Sequence, residues 1–413
     1  MRMATQPTTI PVRPRTALVR VVAACVLVFL VLAWAKTVWH ARTDRGLLDR
    51  DWTMFHRAAC LLREGRLGEI YQGSLETRYP FPYPPYVLYL VAPLAAFEGH
   101  GAYVALVVGS AVALAASLWI ARRFLPGERG DYVTITLVVL SSAAWMSTVV
   151  VGQLSAFYLL IIVAGFRMWA RGRPFLAGLV LALMAIKPNY GVVFFGVILL
   201  QRQWRMAGGC ALGLVLLAAS TWPMGTGVWT EYLAASRHVT AVLYNGTIPM
   251  WKQQTLYAFL STVVSGGNMR LVLAVWGVCV AGLVATAAAA FRTSVSGERV
   301  PRLLAVTALV VVTCNPYAFF YDALLLVLPG IVWYVQRDRY RSLTCHRLAG
   351  ACLAAVYVWQ HLSLFVIKGS IALAGAATTV WLLAEVVEML GLRRPAARCP
   401  LDAPVPRGAQ GLR

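Results

Sequence analysis

The sequence predicts an all-α polytopic membrane protein, from its composition, its hydropathy pattern and the spacing of its arginines. Of its 413 residues, 60% are hydrophobic and 13% are charged, whereas a soluble domain carries about 25% charged residues. Apolar stretches of roughly 20 residues, long enough to cross a bilayer as one helix, recur along the whole chain. We therefore expect one integral transmembrane helical bundle over residues 1–413, with the lipid bilayer as its environment.

Twelve apolar runs are predicted to be membrane-spanning helices. A thirteenth run, Tyr83–Phe97, begins within the segment "YPFPYPPY", whose prolines break helices, and is expected to be a short outer-leaflet or re-entrant piece. The twelve runs cover residues 17–38, 102–121, 132–150, 154–166, 174–186, 189–201, 206–222, 271–290, 303–314, 318–335, 348–366 and 371–390.

Positive charge sets the predicted orientation. The net charge of +21 would indicate nucleic-acid binding in a soluble protein, but in a membrane protein Lys and Arg concentrate in cytoplasmic loops. We expect no nucleic-acid partner. With every arginine cluster inside, the runs alternate across a plasma membrane and both termini are cytoplasmic. The clusters lie at 2–20, 122–129, 167–173, 202–205, 292–302, 337–347 and 393–413.

This orientation puts two long segments on the outer face and the tail 391–413 in the cytoplasm. The first outer segment covers residues 36–100, and the second covers residues 223–270. The run Pro174–Gln201 is long enough to cross as one helix, but its flanking arginines would then lie on opposite sides, so we expect it to break at Lys187-Pro188. Polar side chains therefore concentrate on the non-cytoplasmic face, where we expect the active site.

Asp51 begins an amphipathic pattern in the first outer segment. The apolar positions of one helical face are Trp52, Phe55, Ala59 and Leu62. Such a helix is expected to lie in the membrane interface. Asp51 has two interpretations there, an N-cap for free backbone N–H groups or a partly desolvated carboxylate that serves as a general base. The two roles are compatible.

Lys187 and Asp322 are ionisable residues between apolar runs, where an unpaired charge is costly. Lys187 either extends along its apolar stem to the outer surface or binds a phosphate of a lipid. Asp322, in "NPYAFFYDALLLVLP", either pairs with the region around Asn315-Pro316 for structural reasons or belongs to a functional site.

Other polar candidates lie in the outer segments or near the predicted outer ends of helices. Tyr83 is either an interfacial anchor or part of an aromatic acceptor groove, and Gln153 either caps a helix or binds substrate. His361 is either a satisfied structural histidine or a substrate ligand. The remaining candidates are His56, Lys252 and Gln254. The eight cysteines show neither metal-ligand nor disulfide spacing, so we expect no metal.

The order of these features resembles glycosyltransferase family 87 of the GT-C superfamily, whose members use polyprenol-phosphate sugars. The family's pattern resembles D-x-x-x-[YF]-x-x-A-x-x-[LI]-x-x-G followed by a tyrosine and paired prolines. The corresponding residues here are Asp51, Phe55, Ala58, Leu62 (shifted by one place), Gly65, Tyr83, Pro84 and Pro85. Later elements look like Gly152-Gln153, Ile186-Lys187-Pro188 and, after Pro316, Tyr321-Asp322.

The resemblance implies an inverting transfer of a sugar from a polyprenyl-phosphate donor to a hydroxyl of a glycolipid or glycan. Mannose is the expected sugar, and arabinofuranose is the alternative. Asp51 would be the general base, while Lys187 and Lys252 would bind the donor phosphate. The residues expected to contact substrate are His56, Tyr83, Gln153, Gln254, Asp322 and His361. No metal and no cofactor beyond the lipid-linked donor would be needed.

Two other classes of protein share some of these features. A transporter or lipid flippase would show matched halves with broken helices and midplane charges. A non-catalytic membrane scaffold would not need Asp51, Lys187 and Asp322 together at the outer side.

Overall fold

The computed structural model is almost entirely helical in the residues it describes, which confirms the all-α class. The described residues are 14–41, 51–72, 81–125, 127–244, 250–264, 268–292, 300–340, 342–365 and 372–391. Among them there is no β-strand, and one isolated bridge joins Gln253 to Phe319. Outside the described residues lie 42–50 and 73–80 of the first outer segment, 245–249 and 265–267 of the second, and the tail from 392 onward.

Eighteen α-helices form this part of the chain. They are α1 (Pro14–Ala41), α2 (Asp51–Arg63), α3 (Gly68–Gln72), α4 (Val87–Val91), α5 (His100–Phe124), α6 (Arg129–Leu140), α7 (Ala143–Val151), α8 (Ser155–Ala170), α9 (Pro174–Leu181), α10 (Pro188–Leu200), α11 (Trp204–Ser220), α12 (Gly227–Tyr244), α13 (Leu256–Val263), α14 (Met269–Phe291), α15 (Val300–Cys314), α16 (Val327–Val335), α17 (Leu343–Phe365) and α18 (Leu373–Gly391). Short 3₁₀ segments extend or connect them at Ala92–Ala96, Ala182–Ile186, Trp222–Met224, Met250–Lys252, Phe320–Leu326 and Arg337–Arg339.

The predicted apolar runs coincide with single helices or with two consecutive helical segments. Within the described ranges, four helices are long and apolar enough to cross a membrane, namely α5, Trp204–Met224, α14 and α18. The pair α6 and α7, bent by 52°, would be a fifth if it forms one broken span. Seven further apolar segments are shorter. The chain is therefore a polytopic membrane protein, and the total of twelve crossings stays a prediction.

Helix α15 lies at the centre of the bundle because it is apolar on nearly every side. All residues from Val300 to Cys314 are buried, and α15 packs against α8, α10, α14, α16 and α18. Its one charged residue, Arg302, pairs with Glu385 of α18, with 3.2 Å between Nη1 and Oε2. The Tyr340 hydroxyl donates to the same carboxylate. This buried pair joins the central helix to the last one.

The run from Pro174 breaks at Lys187, where the positions of the arginine clusters predict a break. Helix α9 tightens into the 3₁₀ segment Ala182–Ile186, Lys187 takes non-helical dihedral angles (φ −123°, ψ 87°), and Pro188 begins α10. Proline suits this first position because it has no N–H to donate to a preceding turn. The break exposes the Lys187 side chain to a site built by other segments.

Helix α2 has the predicted apolar face but buries it in protein. Trp52, Phe55 and Ala59 are all buried, and α2 packs against α4, α5 and the 3₁₀ segment Ala92–Ala96. The expectation that this face lies on the lipid surface is therefore wrong, while the location of α2 at the membrane interface stays a prediction. The physical reason is that the segment after "YPFPYPPY" folds back over α2 and removes its apolar face from the interface.

Polar contacts hold α2 in place at its middle and at its C-terminal end. His56 Nε2 lies 2.9 Å from the Phe97 carbonyl oxygen, and Arg63 donates to the Ala95 carbonyl. The helix ends in a Schellman motif, in which the Arg66 N–H donates to the Leu61 carbonyl at 2.9 Å. Asp51 is consequently the first residue of a helix that is anchored along its length.

Candidate active site

The Asp51 carboxylate lies at the N-terminus of α2, the end at which backbone N–H groups favour a negative charge. Its Oδ2 oxygen accepts a hydrogen bond from Nε2 of Gln153, which follows α7. The side chain of Asp51 is partly exposed, whereas that of Gln153 is buried. Asp51 is therefore accessible to a substrate, while the hydrogen bond from Gln153 fixes its carboxylate.

Gly152 explains how the end of α7 comes so close to α2. Gly152 has a left-handed backbone (φ 75°), and the N–H of Gln153 donates to the Thr148 carbonyl at 3.0 Å to close the helix. A Cβ at this position would lie 2.5 Å from the Cβ of Trp52. Only glycine satisfies both conditions. The Gly-Gln pair thus brings the amide of Gln153 to Asp51.

Tyr83 reaches the same point from the proline-rich segment. Its hydroxyl donates to Oε1 of Gln153 at 3.2 Å, and its backbone carbonyl accepts from the Tyr71 hydroxyl at 2.9 Å. Burial raises the pKa of the Tyr83 phenol well above its usual value, so the hydroxyl stays protonated at neutral pH and can donate a hydrogen bond. Asp51, Gln153 and Tyr83 therefore form one hydrogen-bonded series.

Lys187 and Asp322 form a buried ion pair. Lys187 Nζ lies 2.6 Å from Asp322 Oδ1 and 3.1 Å from the Tyr190 hydroxyl oxygen. The other carboxylate oxygen of Asp322 accepts from the Phe319 N–H at 2.9 Å, at the start of the Phe320–Leu326 turn. The Asp322 side chain is fully buried and that of Lys187 is 11% exposed. Each charge is thus compensated by the other inside the protein.

Three tyrosine rings surround the Lys187 ammonium. The distances from Nζ to the ring centroids are 4.3 Å for Tyr190, 5.9 Å for Tyr321 and 6.0 Å for Tyr158. Aromatic faces at this range attract a cation. The sequence pattern alone did not predict that these three tyrosines form a group. The position of Tyr190, three residues after Lys187 and hence one helical turn away, was a usable signal for one of them.

The series of Asp51, Gln153 and Tyr83 and the pair of Lys187 and Asp322 belong to a single site. The Asp51 carboxylate interacts electrostatically with Lys187 and with the Tyr321 hydroxyl. Tyr83 interacts with both Asp51 and Asp322. The structure therefore brings together five predicted residues from distant parts of the chain, which are Asp51, Tyr83, Gln153, Lys187 and Asp322.

The second outer segment lies beside this site. Gln254 is fully buried, its N–H donates to the Ala318 carbonyl at 2.7 Å, and its Oε1 accepts from Gln360 at 3.2 Å. Lys252 is exposed, with Nζ 5.5 Å from the ring centroid of Trp251. These contacts hold the segment against the strand-like residues that precede the Asp322 turn.

The two predicted histidines bond to backbone carbonyls. His56 of α2 contacts the Phe97 carbonyl. His361 of α17 has Nδ1 2.7 Å from the Tyr357 carbonyl and Nε2 2.9 Å from the Ser141 carbonyl at the bend between α6 and α7. In the ranges that the structure covers, no three His, Cys, Asp or Glu residues form a group of metal-ligand type.

The chain matches a known protein family. The family model described as Glycosyltransferase family 87 matches residues 81–329, which is more than half of the chain. The matched region contains Tyr83, Gln153, Lys187 and Asp322, while Asp51 precedes it. No curated protein matches the chain.

Proposed function

The chain belongs to glycosyltransferase family 87, a family of the GT-C type, and is a membrane glycosyltransferase; from this premise we propose a donor, a sugar and a mechanism. The proposed donor is a polyprenyl-phosphate hexose, with mannose as the sugar. The proposed acceptor is a hydroxyl of a glycolipid or glycan. Transfer inverts the anomeric configuration and uses Asp51 as the general base.

The observation that carries this proposal is the partly exposed Asp51 carboxylate, which lies within electrostatic range of the Lys187 ammonium group between three tyrosine rings. A sugar transfer from a lipid phosphate needs both groups, since one side of the anomeric carbon gains a nucleophile while the other releases an anion. Asp51 supplies the base, and Lys187 supplies the cation. The family match covers the segment that carries Lys187 and Asp322.

In the proposed reaction, Asp51 accepts the proton of the acceptor hydroxyl as its oxygen attacks the anomeric carbon. The new glycosidic C–O bond forms while the bond from the anomeric carbon to the phosphate oxygen breaks. The transition state is oxocarbenium-like, as in glycoside hydrolysis. The leaving polyprenyl phosphate is a stable phosphate monoester anion, so its oxygen needs charge stabilisation rather than a proton.

Lys187 has the geometry for that stabilisation. An ammonium group has three N–H donors, and Asp322 and the Tyr190 oxygen engage two of them. A third donor is available for a phosphate oxygen. Asp322 then balances the buried charge of Lys187 when no donor is bound, and Lys252 is proposed as a second, exposed contact for the phosphate.

Three further candidate residues bind protein groups rather than facing an open site. Gln254, His56 and His361 each hold protein atoms in the described structure. We propose that they hold the segments that line the acceptor and donor sites and do not contact the substrates themselves. The proposed location is the outer face of the plasma membrane, with both termini in the cytoplasm, as the arginine clusters indicate.

Purified protein in vesicles, given radiolabelled polyprenyl-phosphate-mannose or polyprenyl-phosphate-arabinofuranose with a lipid extract as acceptor, tests this proposal. We expect labelled glycolipid from the mannose donor and none from Asp51→Asn. Label from the arabinofuranose donor alone would replace the sugar and keep the mechanism. Transfer by Asp51→Asn at the wild-type rate would refute the general-base assignment.

A further inference from the structure

The hydrogen-bonded series from Tyr83 through Gln153 to Asp51 has a defined direction. A carboxylate oxygen only accepts hydrogen bonds, so the amide nitrogen of Gln153 must face Asp51. The amide oxygen then faces Tyr83, whose hydroxyl can donate to it. Each end of the Gln153 amide has the partner it requires, and a rotation of the amide by 180° would break both bonds.

Both supporting side chains are shielded from solvent. Gln153 is 2% exposed and Tyr83 is 8% exposed. Their backbones are held as well, Gln153 by the closing bond to Thr148 and Tyr83 by the Tyr71 hydroxyl. Residues this buried and this fixed are poorly suited to contact a mobile sugar. They are well suited to hold a third group in one orientation.

We propose that Gln153 is the positioning residue of Asp51, and that Tyr83 acts on Asp51 through Gln153. The amide N–H fixes the Oδ2 oxygen and thereby the rotation of the carboxylate about its Cβ–Cγ bond. The Tyr83 hydroxyl fixes the rotation of the amide. This assignment differs from the substrate-binding roles expected from the sequence, and its catalytic consequence rests on the proposed function.

Donation to an ionised carboxylate also makes that carboxylate harder to protonate. Loss of the Gln153 donor should therefore raise the pH at which Asp51 titrates, by about one unit for a hydrogen bond to a charged group. The charged and titratable groups that face or neighbour Asp51 stay in place in that variant, namely Lys187, Tyr83, Tyr321, Asp322, Tyr103 and His56.

The test is the pH dependence of Asp51 modification by a hydrophobic carbodiimide, which reacts with protonated carboxyl groups, followed by peptide mass spectrometry. The variants are Gln153→Met, of similar length without the amide, Tyr83→Phe, and the two combined. Gln203→Met and Tyr132→Phe are matched controls, because Gln203 bonds to the Gln201 carbonyl and Tyr132 to the Ala121 and Leu125 carbonyls, away from the site.

We expect the modification midpoint to rise by about one pH unit in Gln153→Met and by a smaller amount in Tyr83→Phe. Because Tyr83 acts through Gln153, the double variant should match Gln153→Met alone. In transfer assays, kcat should fall about tenfold in Gln153→Met while the donor KM stays within about threefold, since orientation and not ground-state binding is lost.

A wild-type midpoint in Gln153→Met would overturn the inference, as would a Tyr83→Phe shift that persists in full in the Gln153→Met background. Carbodiimide modification needs no transfer activity. A shifted midpoint in a protein that transfers no sugar would therefore refute the proposed function while supporting the positioning role. A shift in the two control variants would refute the positioning role.

Discussion

Replacing Gly152 by alanine should separate α2 from the end of α7 without touching a charged group. Two costs follow from the structure. An L-residue with φ near 75° costs about 1–2 kcal/mol in backbone strain. The new Cβ would also lie 2.5 Å from the Cβ of Trp52, nearly 1 Å inside an ordinary contact. Overpacking of this kind costs about 1–3 kcal/mol, so the expected total is about 2–5 kcal/mol.

The clash matters for catalysis because it lies between Asp51 and Gln153. To make room, Trp52 and the first turn of α2 must move by about 1 Å, and a shift of that size can reduce a rate by about 100-fold. The Gly172→Ala variant is the matched control. Gly172 has φ 72°, but an added Cβ there meets nothing within 4 Å. It carries the backbone strain alone.

Thermal unfolding in detergent and initial transfer rates provide the measurements. We expect Gly172→Ala to lose about 1–2 kcal/mol of stability and to keep its transfer rate. Gly152→Ala should lose about 2–5 kcal/mol and most of its transfer rate. Equal losses of stability and rate in the two variants would refute the reasoning, because the contact with Trp52 would then contribute nothing.

Three further predictions concern charged groups. Asp51→Asn should lower the transfer rate by about 10²–10⁴-fold at unchanged protein level, measured with labelled donor, and near-normal turnover would contradict it. Lys187→Met should weaken donor binding about tenfold or more, and it should destabilise the protein because Asp322 stays buried and unpaired. Adding Asp322→Asn should restore stability but not donor affinity. Unchanged donor affinity in Lys187→Met would show that Lys187 is not part of the donor site. Arg302→Met should cost about 3–5 kcal/mol in unfolding experiments, and adding Glu385→Leu should restore most of it; a mild single variant would show that the pair is not buried as described.

Local patterns in the sequence predicted much of the architecture. The apolar runs mark the helices, because a helix in lipid must satisfy its own backbone within one segment. The amphipathic spacing after Asp51 marks α2, and Lys187-Pro188 marks the break between the 3₁₀ segment Ala182–Ile186 and α10. Each of these features depends on residues within one or two helical turns of one another, so a linear pattern contains the information.

The partners within the site could not be predicted in the same way. Gln153 and Asp51 are 102 residues apart, and Lys187 and Asp322 are 135 apart. Nothing in either local pattern specifies the other residue. The surface covered by α2 was also misassigned, because an apolar face has the same pattern whether it packs on lipid or on protein.

The sequence by itself therefore determined an all-α membrane bundle, the approximate positions of its apolar helices and a short set of polar residues that membrane energetics makes costly. The tertiary structure decided which of those residues meet. The physical reason is that hydropathy and helix capping depend on residues close together along the chain, whereas the contact of Asp51 with Gln153 depends on one close approach between distant segments, that of Gly152 to Trp52. Only the packed bundle brings those two segments together.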